Sequence, residues 1–265
     1  QHQQQLQQVA ERANEDDDAL IPFYKRLLTF TIGTVSIMLS DPILSLVDTS
    51  ILGMTQSNAV VRLTALGPAT MLYDSLLYLT YFLAMTMTTQ LGKSLAEKDY
   101  TKCQKVTSHI MGAAVVATVG GLISLVMYGF EKRFITNMAG NSGTTELIQL
   151  ATRYVHIRAL VAPLSVLVIV AQSFCLVNLD TVTPIIAVVM ASLVNILGDL
   201  ALCSFGIQGA AVATALASTT SSIILLRKVK KRMYSWREKS AAAAAATTTA
   251  TTTTTTTGST ATSRN

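Results

Sequence analysis

The sequence predicts an all-α, polytopic membrane protein whose six transmembrane helices form a single lobe. Half of its 265 residues are hydrophobic and only 13% are charged, and its mean hydropathy of +0.45 lies above that of an ordinary soluble domain. Six apolar stretches, about 27–52, 67–92, 106–129, 146–177, 184–204 and 207–227, each supply the ~20 residues that a helix needs to cross the hydrocarbon core. The basic residues between them are dense and sparse by turns, as loops on the two sides of a bilayer are.

Residues 1–20 are Gln-rich and then acidic (Glu15, Asp16, Asp17, Asp18), without the apolar run of a secretory signal. They read as a disordered lead-in or the remnant of a targeting region, and the transmembrane lobe is expected over 21–232. In the first helix Asp41, Ser45 and Asp48 are spaced four and then three apart, so they share a face. Pro42 withdraws a backbone hydrogen bond and should loosen that helix. A carboxylate at the centre of the bilayer costs roughly 3 kcal/mol, so such a residue is expected to face an interior cavity.

The second helix is expected to open at Gly67-Pro68, and the third is plainly apolar. The fourth carries Arg153, His156 and Arg158 in its first turns, where long basic side chains snorkel into headgroups. Deeper in that run Gln172 suits either a substrate path or an interhelical hydrogen bond. The fifth helix repeats the spacing of the first with Ser192, Asn195 and Asp199. In the sixth, Gly206, Ala210, Thr214, Ser218 and Ser222 recur every four residues, a stripe of small side chains that lets another helix approach closely. Thr214 also has a hydroxyl to offer a cavity. Residues 233–265 are basic and then Ala- and Thr-rich, and are expected to be a disordered tail.

Thirteen lysines and arginines flank the helices on one side, from Lys25 and Arg26 through Lys93–Lys105 to Arg227–Lys239, against Arg62, Lys132 and Arg133 on the other. That bias places both termini on the positive, cytosol- or stroma-like side. The first and fifth helices then run parallel, with Asp48 and Asp199 each about 6 Å inside the far boundary. Asp48, Asn195 and Asp199 at one depth would make a proton or cation site, with H+ or Na+ as the ion and no further metal or cofactor. Spacing leaves open the alternative that neighbouring Ser or Thr residues satisfy each aspartate privately.

The net charge of +5 reports orientation in the lipid bilayer and no nucleic-acid partner. Cys103, Cys175 and Cys203 are too scattered for a disulfide framework or a zinc site and read as packing residues. An intramembrane enzyme would need a nucleophile with its base, or metal-ligand spacing. The chain has no His-Glu-x-x-His or Gly-x-Ser-x-Gly, and its histidines are His2, His109 and His156. No filter-like sequence suggests a channel.

Several strings carry a resemblance: Ser45-Leu46-Val47-Asp48-Thr49, Ala65-Leu66-Gly67-Pro68, Tyr154-Val155-His156-Ile157-Arg158, Val170-Ala171-Gln172-Ser173, Asn195-Ile196-Leu197-Gly198-Asp199 and Gly206-Ile207-Gln208-Gly209-Ala210-Ala211-Val212-Ala213-Thr214. In order and spacing they resemble the amino-terminal half of a MATE (multidrug and toxic compound extrusion) transporter, in the DinF-like branch with its plant and algal plastid members, a salicylate exporter among them. The resemblance implies one lobe of a twelve-helix fold. It implies a cation cluster at Asp48, Asn195 and Asp199, with Thr214 as the family's sixth-helix threonine. It further implies proton- or sodium-coupled antiport exporting a small organic solute, and placement in a plastid envelope or thylakoid membrane. Asp41 before Pro42 departs from the family pattern. The length implies a truncated chain lacking its second six-helix lobe, or a half-length protein with a dimer partner. A half-transporter acting as a non-transporting subunit or regulator is the alternative function. The Gln at position 1 and the repetitive tail favour truncation.

Overall fold

The computed structural model of the chain describes residues 24, 25, 27–39, 42, 43, 45–47, 49–51, 53, 54, 59–139 and 144–259. Among these residues every regular element is helical. The elements are α1 (Leu27–Leu39), α2 (Ala59–Tyr78), α3 (Tyr81–Ala96), α4 (Tyr100–Tyr128), α5 (Phe130–Ala139), α6 (Thr145–Val177), α7 (Val182–Leu202), a 3-10 turn (Cys203–Phe205) and α8 (Ile207–Ser259). Helical residues 42, 43, 45–47, 49–51, 53 and 54 continue the chain beyond α1. Among the described residues, three helices combine the length and hydropathy of a membrane span: Thr145–Val177, Val182–Leu202 and Ile207–Ala245.

The second expected span is two helices. At their junction Thr80 donates its hydroxyl to the Leu77 carbonyl at 2.6 Å, and its backbone N–H reaches the same carbonyl at 2.8 Å. A hydroxyl bonded back to its own helix competes with the α-helical ladder and bends it. Gly67-Pro68 does not open this span, because α2 begins at Ala59 and holds Pro68 inside it. The short helix α5 joins α4 to α6 and buries Ile135 against α2 and α6.

Helix α6 is the hub, packing against α2, α3, α4 and α8, while α7 packs chiefly on α8. Its start is fixed by Thr144, whose hydroxyl accepts from the Leu147 N–H at 3.3 Å. Two apolar clusters fill the lobe. One joins Ala65, Leu72, Ala151, Val155, Ile207 and Ala211 near the first turns of α6 and α8. The other joins Met87, Leu91, Ala114, Val170, Phe174, Leu225 and Trp236 toward their far ends. Cys103 and Cys175 are buried free thiols of this second cluster, as packing residues would be.

Where described, the tail that was expected to be disordered is helical: α8 runs unbroken through 233–259. Its basic segment is folded onto the lobe. Trp236 is 1% exposed and lies 5.5 Å from the ring of Phe174. Gln104 Nε2 donates to the Met233 carbonyl at 3.1 Å, Arg232 Nε donates to Asn178 Oδ1 at 3.2 Å, and Lys228 Nζ pairs with Asp180 Oδ2 at 2.6 Å. These contacts gather the α3–α4 turn, the α6–α7 turn and α8 at one end, the end the basic residues share. The alanine run beyond has the highest intrinsic helix propensity and extends the helix. Residues 1–20, the expected lead-in, lie outside the described residues.

Candidate functional site

Helix α7 turns most of its surface outward. Val182, Ile186, Val189, Leu193, Leu197 and Leu200 are all exposed, an apolar surface suited to lipid. Its buried residues are Pro184, Ala187, Asn195 and Asp199. A helix that is apolar outside and polar inside inverts the soluble pattern, and intramembrane polar residues of this kind mark functional interiors. Asn195 is 0% and Asp199 2% exposed. Spaced four apart, they share a face, and Asn195 Nδ2 donates to Asp199 Oδ2 at 3.3 Å. The amide thus presents a donor to the carboxylate and keeps an oxygen that, with the carboxylate, can ligate a cation.

Close packing of α7 on α8 seals the pair. A Cβ on Gly198 would lie 2.8 Å from Ala213 Cβ, so the absence of a side chain beside Asp199 sets the helix separation. A Cβ on Gly209 would strike the Leu202 carbonyl. The small stripe of α8 is therefore a packing surface, with Ala210, Ala213, Ala217, Ser221 and Ser222 buried. Ser222 donates across to the Leu164 carbonyl on α6 at 3.1 Å. Thr214, next to Ala213, is half-buried and donates its hydroxyl to the Ala210 carbonyl at 2.8 Å.

Beside the pair, a cavity of about 330 Å³ is lined by Ser36, Ile37, Ile43 and Val47 on one wall and by Ile185, Val188, Ser192 and Ile196 of α7 on the other. Its lining is apolar apart from two serine hydroxyls. Asp41 and Asp48 lie outside the described residues. Gln172 is half-buried on α6, and among the described residues no hydrogen bond joins it to Asn195 or Asp199. Of the sequence-predicted residues, the structure brings together Asn195 and Asp199, with Thr214 on the helix packed against them and Ser192 in the adjoining cavity.

Sequence reasoning missed a second polar cluster. The guanidinium of Arg158, expected to snorkel, lies over the ring of Tyr73 on α2, 4.0 Å from the centroid. Its Nη1 donates to the Tyr154 hydroxyl at 3.0 Å, and Tyr73 donates its own hydroxyl to Ser165 Oγ at 3.1 Å. Asp74 follows Tyr73 on α2. The tyrosine four residues before an intramembrane arginine was the visible signal; the stacking partner on α2 was not. Arg153 and His156, by contrast, are exposed.

Fold and site together define a polytopic α-helical membrane protein with a buried polar centre in one lobe. The chain belongs to the MATE family, whose sequence pattern, MatE, matches residues 22–200. Protein DETOXIFICATION 47, chloroplastic, of Arabidopsis thaliana is 31% identical over 193 residues, 72% of this chain and 34% of that protein. Protein DETOXIFICATION 44, chloroplastic, of the same plant is 25% identical over 201 residues, 72% of this chain and 38% of that protein. The chain therefore spans roughly a third of the length of these relatives. Among solved structures, a MATE protein in the bent conformation aligns with a TM-score of 0.67 at 19% identity, over 76% of this chain and 44% of that one. An outward-facing multidrug resistance MATE family transporter of the MOP superfamily gives 0.66 at 19% identity, over the same shares. The fold is one lobe of that architecture.

Proposed function

We propose that this lobe is the ion-coupling half of a secondary antiporter, in which entry of protons or sodium drives export of a small organic solute. The observation that carries the reading is the fully buried Asn195–Asp199 hydrogen bond on the single interior stripe of an otherwise lipid-facing helix. Asp48 supplies the second carboxylate of the site and Thr214 a hydroxyl from α8. Protonating Asp199, or neutralising it with Na+, removes the cost of a buried charge and weakens the pull on the Asn195 amide. Such a change biases the packing of α7 against α8 and of the first helix across the cavity, and so shifts the lobe between two states. The apolar cavity beside Ser192 receives the ring of a solute. The second wall of the solute path comes from another six-helix lobe or a dimer partner. The chloroplastic relatives support placement in a plastid envelope or thylakoid membrane, and the basic end of the lobe supports termini on the stroma-like side.

The test joins this lobe to a second six-helix lobe in proteoliposomes and follows gradient-driven efflux of ethidium and of benzoate. Asp199→Asn and Asp48→Asn should each abolish efflux without loss of protein from the membrane. Efflux undiminished in both variants removes the coupling role.

A further inference from the structure

Helix α8 changes chemistry along one outward line. Val212, Leu216 and Ile223 are exposed and apolar. From Ile223 the same face continues in steps of three and four residues through Arg227, Lys230, Lys231 and Tyr234, all exposed. A hydrocarbon core about 30 Å thick takes about 20 residues of helix, and that count from the helix start at Ile207 ends at Arg227. We propose that Arg227, Lys230 and Lys231 form a docking site for the phosphate headgroup of an anionic phospholipid, with its acyl chains along Leu216 and Ile223. Side chains on a helix lean toward its amino terminus, which on α8 means back toward the bilayer. The three cations therefore reach down over the headgroups, and Tyr234 stands among them as aromatic residues do at a membrane interface.

The rest of α8 holds this face outward. On its other side Leu225, Val229 and Trp236 are buried in the lobe. The cations beside that buried side are already engaged, Lys228 with Asp180 at 2.6 Å and Arg232 with Asn178 at 3.2 Å. The helix is thus pinned to the α6–α7 turn and cannot roll its outward row away from the bilayer. Among the described residues no carboxylate pairs with Arg227, Lys230 or Lys231. Lys230 Nζ lies 5.9 Å from the centre of the Tyr234 ring, and Glu238, the acidic residue on this face, comes two turns past Lys231. Like charges three and four residues apart repel one another. The chain keeps that repulsion on a rigid helix, and an anion from outside relieves it. Continuity with the apolar line below selects a lipid, because a soluble anion would leave Leu216 and Ile223 uncovered. The site is separate from the pair Asn195 and Asp199 and does not depend on antiport.

The experiment titrates the whole chain in detergent micelles with phosphatidylglycerol or phosphatidylcholine carrying pyrene on an acyl chain. Energy transfer from Trp236, the single tryptophan of the chain, reports binding. Phosphatidylglycerol should bind saturably and about tenfold or more tighter than phosphatidylcholine. Arg227→Gln and Lys231→Gln should each weaken phosphatidylglycerol about fivefold, the contribution of one cation near a charged surface, and leave phosphatidylcholine unchanged. Lys98→Gln removes an exposed charge from the α3–α4 turn at the same end of the lobe and should change neither. Soluble glycerol phosphate should not displace the labelled lipid. Equal affinity for the two lipids overturns the site. So does a loss in Lys98→Gln equal to that in Lys231→Gln, which would make the effect one of net charge. Displacement by glycerol phosphate overturns it as well, in favour of a soluble anion.

Discussion

Asn195 and Asp199 were legible as a pair because helical periodicity alone puts residues four apart on one face, and a carboxylate in an apolar run has few places to go but inward. Arg158 was not legible, because what holds it is the face of a tyrosine on a different helix, and no local pattern encodes that approach. The same limit hid the contact between Asp180 and Lys228. Burial raises the Asp180 carboxyl, but the Lys228 ammonium and the hydrogen bonds from Thr183 outweigh it and hold the group below its ordinary 3.8. Because the carboxyl binds its proton less readily in the folded lobe than in an unfolded chain, the stabilisation is complete above that ordinary value. It is lost as the pH falls through the lowered one. The ammonium is 43% exposed, which limits the pair to about 1 kcal/mol or less. Lys228→Gln should therefore lower the unfolding midpoint in detergent by a small amount at neutral pH. The gap from wild type should close on acidification below about pH 4, and a gap that widens there would exclude Asp180 as the partner.

At the level of elements, the existence of the apolar helices followed from composition, whereas their breaks and ends did not. The turn at Leu79-Thr80 depends on a hydroxyl bonding back to Leu77, and threonines elsewhere in the lobe make similar bonds without breaking a helix, as Thr107 does to Cys103. The basic segment after the sixth span looked solvated because its charges dominate the count, yet one tryptophan in it is buried and anchors α8 across the end of the lobe. The α7–α8 contact is the element-scale feature on which the site depends most. With Gly198 only 2.8 Å short of Ala213 Cβ once a Cβ is added, Gly198→Val must push the helices apart or strain both, at a cost of about 1–3 kcal/mol. Thermal unfolding of the variant in detergent should show that loss. Ala213→Gly in the same chain should recover part of it, because it clears the atom that the new side chain meets. No recovery would mean that the strain lies elsewhere on α7.

The whole lobe buries its polar pair inside itself, between α7 and α8, and not at an edge awaiting a partner. That arrangement separates two properties that a complete antiporter joins. On the antiport reading, ion binding draws on Asp48, Asn195 and Asp199, which this chain contains. Solute movement needs a path with two walls, and this chain spans roughly a third of its chloroplastic relatives. The chain reconstituted alone in vesicles is therefore expected to bind protons or Na+ in a way that Asp199→Asn abolishes, while an imposed gradient drives no flux of ethidium or benzoate. Flux from the chain alone would mean that two copies assemble the path, and a cross-linked dimer should then carry it. Ion binding that survives Asp199→Asn would instead move the coupling site off α7, and the inward-facing polar stripe of that helix would be left as packing alone.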